Sequence, residues 1–101
     1  MSPSVGRLVR YLLTGTDVAA IKRRRAQRDD VMVDGARIGN LVSEGDEVAA
    51  LIVKVWLHGC VNLKLQLDGN DELWVTSVLP GAQGEPAKPG EWHWPHFEPT
   101  K

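Results

Sequence analysis

The stretch from Val48 to Val78 constrains this chain most, because its three apolar segments are joined by connections too short to reach anything but neighbouring antiparallel strands. Val48 to Leu57 is apolar throughout except for Lys54, and His58-Gly59 then supplies a turn. Val61 to Leu67 alternates strictly, with apolar residues at odd numbers and polar ones at even numbers, the period of a strand with one face buried. Asp68-Gly69-Asn70-Asp71 carries Gly and Asn, which accept the positive φ of tight hairpin turns. Leu73 to Val78 returns as the next strand. A three-stranded meander over 48–78 is the expected result.

The flanks add to this sheet. Residues 5–13 read as a strand, with Val5, Arg7, Val9, Tyr11 and Leu13 on one face and Leu8, Arg10 and Leu12 on the other. Thr14 or Thr16 can cap a short helix over 17–27, and Asp17 suits its positive end. The apolar stripe of that helix is brief, Val18 and Ile21, and one face is strongly basic. Residues 29–47 read as a long polar loop, with Val31-Met32-Val33 as a possible short strand inside it. From residue 79 to 101 Pro and Gly mark an extended connector, and the large rings of Trp92, Trp94 and Phe97 dock that tail onto the sheet. The fold class expected is mainly β, in the α+β sense. It is a small SH3-like barrel or curled antiparallel sheet of four to five strands with one short basic helix, in a single domain over 1–101.

Charge is the next signal. The net charge is −1, but residues 1–28 hold seven basic residues against Asp17 alone, +6, while the remainder carries −7. Such a basic segment meets phosphate, nucleic acid, or the acidic half of its own chain or a neighbour's. A near-neutral total argues against duplex nucleic acid, whose affinity is driven by phosphate contacts. The lone Cys60 excludes an internal disulfide and points to a reducing compartment. No apolar run approaches the roughly 18–20 residues of a membrane span, and no hydrophobic signal core precedes Arg7, so a cytoplasmic location is expected.

Few residues suggest chemistry. Arg23, Arg24, Arg25 and Arg28, with Lys22, are the most distinctive cluster, since guanidinium forks match phosphate oxygens. At about 100° per residue three consecutive arginines cannot all serve one phosphate, and a solvated or acid-paired face is the competing reading. Trp56 and Trp74 lie within expected strands and read as core. Trp92 and Trp94 flank His93 and would share one face of an extended tail, leaving His93 on the other. His93 and His96 are separated by Pro95 and lack further ligands, so no metal site is expected. Cys60 reads as a small buried thiol, and Asp68 and Asp71 as turn-holding side chains. No phosphate-binding loop, dinucleotide fingerprint or nucleophile elbow occurs, so the chain is not expected to be an enzyme and needs no cofactor.

Several segments taken together are familiar. These are Thr-x-x-Asp leading into Ile-x-x-Arg-Arg, then Ile-Gly-Asn, Ile-Val-x-Val-Trp, Val-Asn-Leu-x-Leu-x-Leu-Asp-Gly-Asn-Asp-x-Leu-Trp-Val-Thr-Ser, and Pro-Gly-x-Trp-His-Trp-Pro. The sequence resembles a group of small, largely uncharacterised proteins encoded by tailed bacteriophages, from about Tyr11 to Pro95. It departs from that pattern at Arg37 and Lys64, where His and Gln are usual, and both changes add positive charge. The resemblance implies a phage origin and no assigned activity.

Two functions follow as expectations. The first is a sponge, in the cytoplasm of the infected host, that sequesters an anionic, nucleotide-derived small molecule such as a cyclic nucleotide. In that reading Arg23, Arg24, Arg25 and Arg28 meet phosphates, Trp92 or Trp94 stacks on the base beside His93, Asn40 and Asn70 read polar edges, and the site sits in a homo-oligomer. The second is a virion component, a head-decoration or tail-associated tile.

Overall fold

A computed structural model describes residues 2–27, 40–69, 71–82 and 84–95. Arg28, Arg37, Asn70, His96, Phe97 and the Val31-Met32-Val33 segment lie outside these residues.

The chain forms a closed five-stranded β-barrel with one short helix, an architecture consistent with an SH3-like barrel. Its elements in order are β1 (Leu8–Leu12), α1 (Gly15–Ala26), β2 (Glu47–Val55), β3 (Val61–Leu67), β4 (Asp71–Pro80) and β5 (Glu91–His93). β2, β3 and β4 make the expected meander, with Leu51 opposite Lys64 and Lys64 opposite Trp74. β1 pairs antiparallel with β2, Leu8 facing Leu51 and Leu12 facing Glu47. The short β5 closes the barrel, antiparallel to β1 through Arg10 and His93 and parallel to β4 through Pro80 and Trp92.

The alternation along β3 decides what lies inside. Val61, Leu63 and Leu65 are completely buried and Leu67 nearly so, and they meet Val9, Tyr11, Ala50, Ile52, Val78 and Trp92. Burying each such Leu or Ile side chain contributes about 1.5–3 kcal/mol. Two register shifts bend the sheet into closure, one between Ile52 and Lys54 and one between Val61 and Leu63. Opposite the second, Ser77 adopts a left-handed φ of 56°, and its amide donates to Asn62 Oδ1 at 2.9 Å.

α1 begins two residues earlier than the sequence pattern suggests, because Thr14 rather than Thr16 is its cap. Thr14 Oγ1 accepts from the Asp17 amide, and Asp17 Oδ2 accepts from the Thr14 amide, both at 3.0 Å. This reciprocal capping box satisfies two amides that the helix leaves unpaired. The same Asp17 oxygen accepts a 2.5 Å hydrogen bond from the Tyr11 hydroxyl, tying the helix to β1. Val18 and Ile21 then enter the core. Burial and the Asp17 carboxylate hold the Tyr11 hydroxyl protonated well above its usual range.

Tyr11→Phe is expected to keep the barrel and to lower its stability by about 1.5–3 kcal/mol, the range for a hydrogen bond to a charged group. Urea unfolding followed by circular dichroism measures it.

Candidate functional site

Two arginines of the helix cluster, Arg24 and Arg25, are paired within the chain. Arg24 Nη2 and Arg25 Nε each donate to a separate oxygen of Asp71, at 2.5 and 2.8 Å, and the Asp71 side chain is only 3% exposed. Arg25 Nη1 also donates to the Asn40 carbonyl at 2.9 Å, and Asn40 Nδ2 donates to Asp68 Oδ2 at 2.6 Å. Arg24, Arg25 and Asn40, expected as ligand contacts, are thus engaged with other parts of the chain. A carboxylate at the start of β4 accepts from both guanidinium groups, although Arg25 Nη2 is buried without a hydrogen-bond partner among the described residues, and Asn40 ties its own segment to the β3–β4 turn. Arg23 is exposed on the helix.

Burial alone would raise the Asp71 carboxyl, but hydrogen bonds from Arg25 and Arg24 outweigh it and hold the group below its ordinary 3.8. The clasp is thus complete above the ordinary carboxyl pKa, and it is lost as pH falls through the depressed value.

The tail residues separate into three roles. Trp92 is core, 3% exposed, and its indole N–H donates to the Gly59 carbonyl at 2.8 Å. Its ring, expected to stack on a base, is packed in the core. Gly59 has a φ of +77°, and a Cβ there would come within 3.1 Å of Pro80, so the close approach needs glycine. His93 faces outward on β5, its Nε2 3.1 Å from Glu47 Oε2, while Arg10 holds the other Glu47 oxygen at 3.1 Å. The hydrogen bond with His93 is the main cause that lowers the Glu47 carboxyl. Trp94 stands edge-on to Trp92 at 5.2 Å, with the Arg7 guanidinium 5.4 Å from its ring centroid.

Glu47, His93 and Trp94 line a cleft of about 750 Å³, with Trp92 in its wall and residues 80–82 and 84–87 along one side. A concave site with a ring and a few converging polar groups is the usual form of a small-molecule pocket. The helix arginines are not part of it. Asp71, their anchor, lies opposite Leu67 at one end of β3, whereas Gly59, the Trp92 anchor, lies next to the other end. The seven residues of β3 separate these ends by about 20 Å. Within one copy the expected convergence of helix arginines and tail tryptophans does not occur.

Comparison with known proteins finds no matching family model, no matching curated protein and no matching solved structure.

The cations beside the tail are Arg7 and Arg10, which belong to the expected strand 5–13 and the basic segment 1–28 but not to the residues expected to contact a ligand. Their signal was positional: Arg10 is opposite His93 once β5 pairs with β1. Trp56 and Trp74, expected in the core, are 51% and 61% exposed. Trp74 alternates with inward Leu73 and Val75, and Trp56 lies just past the end of β2. Cys60 is only partly buried, in the β2–β3 turn. Among the described residues no group of His, Cys, Asp or Glu could hold a metal ion, and no helix is long and apolar enough to cross a membrane.

Asp71→Asn is expected to cost about 1–3 kcal/mol at neutral pH, since both arginines lose their carboxylate. The gap from wild type should narrow as pH falls below the ordinary carboxyl pKa and through the depressed native value, where the wild-type carboxylate takes up its proton. Urea midpoints at pH 7 and pH 3 check both parts.

Proposed function

We propose that this chain is a non-enzymatic, phage-encoded binding protein that sequesters a nucleotide-derived small molecule in the cleft beside Trp94, within the infected host's cytoplasm. The observation that carries this reading is a half-buried indole in a cleft of about 750 Å³, with the Arg7 guanidinium over that ring and Arg10 paired with Glu47 of the lining. The base lies against Trp94, and base–indole stacking contributes about 1–3 kcal/mol. Arg7, now over that ring, moves onto the phosphate. Glu47 and Glu85 offer acceptors to the amino groups of a base. Arg23 can reach such a ligand only from a second copy, so the sponge works as a homo-oligomer.

A virion component is the second reading, and Leu41 and Leu57 favour it. They are 91% and 78% exposed, at opposite ends of the barrel, where subunits on either side could contact them.

Thermal unfolding with a panel of cyclic nucleotides tests the first reading. A ligand at 100 times its dissociation constant adds about 2.7 kcal/mol and raises the melting temperature by several degrees. Trp94→Ala is expected to remove that rise, whereas Arg24→Ala keeps it. No rise with any nucleotide, together with the protein's presence in purified particles, would decide for the virion role.

A further inference from the structure

The outer face of β2, β3 and β4 carries an arrangement that the cleft does not use. Trp74 points outward from β4, 61% exposed, directly opposite Lys64 on β3. Trp56, 51% exposed, is fixed in place: its indole N–H donates to Asn62 Oδ1 at 3.0 Å, and Lys54 Nζ lies 4.8 Å from its ring centroid. Asn62 is itself anchored by the Ser77 amide and is opposite Lys54. Asn62 and Lys64 are two residues apart on one strand, about 7 Å. Two exposed indoles and two lysines therefore share one patch of the sheet. Glu72 is the acidic group on it, paired with Lys64 at 2.6 Å.

This combination has a specific use. Exposed rings on a sheet accept unpaired bases face to face, and neighbouring ammonium groups meet the backbone phosphates. Stacking needs bases that are free of a partner, which a duplex does not offer. A chain of net charge −1 lacks the broad basic surface that duplex binding requires, but a stacking platform needs fewer cations. The alternative occupant is a second copy of the chain. Lys54 and Lys64 favour an anionic partner, and Trp56 is held in advance of any contact, which lowers the ordering cost of binding.

We infer that the Trp56–Lys54–Lys64–Trp74 face of the barrel binds single-stranded nucleic acid, with bases stacked on the two indoles and phosphates on the two lysines. The inference concerns a different face from the cleft, and neither depends on the other.

Fluorescence anisotropy of a labelled single-stranded oligonucleotide of twelve residues tests it at 50 mM salt, with a duplex of the same sequence alongside. The single strand is expected to bind, to weaken as salt rises, and to bind more tightly than the duplex. Trp74→Ala should weaken it by about 5- to 150-fold, the equivalent of 1–3 kcal/mol of stacking. Trp74→Phe, which keeps a ring, should retain most of the affinity and controls for folding. Lys64→Ala should flatten the salt dependence, and Trp94→Ala should change nothing. The inference is overturned if no single strand binds, if the duplex binds equally well, or if Trp74→Ala alters the oligomeric state in sedimentation but not the affinity for the strand.

Discussion

The barrel closes through three residues. β5 bridges β1 and β4, and at its centre the buried Trp92 donates its indole N–H to the Gly59 carbonyl. Without that docking β1 and β4 would be open edges, with unpaired backbone groups exposed to pairing by other chains. Two of them, Trp92 and His93, also line the cleft, together with the following Trp94. Closure and site are therefore one event. A contact that seals the core also sets Trp94 edge-on beside the ring that holds the seal.

The ionic contacts divide the molecule in a similar way. The Asp71 clasp ties the helix to the β3–β4 turn and leaves little of Arg24 and Arg25 for a ligand. The Arg10–Glu47–His93 chain spans β1, β2 and β5 on the outside, where both Arg10 and Glu47 are well exposed. Exposed pairs of this kind contribute little to stability, about 0–1 kcal/mol. Their position at the rim of a cleft makes them better suited to meeting a ligand than to holding the fold.

The sequence makes part of this legible, and the physical reasons for the rest differ by residue. The strict alternation of Val61 to Leu67 and the turn at Asp68-Gly69 announce the meander, because both are local signals. Trp74 was legible too: it falls in phase with Glu72 and Thr76, the polar side of its strand, and residue type outweighed phase in assigning it to the core. Trp56 was not, since the continuous apolar run of β2 hides which residues point inward. The pairing of Arg24 and Arg25 with Asp71 spans more than forty residues and leaves no local trace. β5 is too short for any periodicity, and its role appears only once both its neighbours are in place.

The central claim is that the cleft beside Trp94, and not the helix arginines, takes the ligand. Two-dimensional NMR of the indole N–H signals addresses it directly, since the four tryptophans occupy four different settings. On addition of a cyclic nucleotide that stabilises the protein, the Trp94 signal should shift strongly, while those of Trp56 and Trp74 stay in place. A ligand that instead moves the guanidinium signals of Arg24 and Arg25 and leaves Trp94 unchanged would contradict the account.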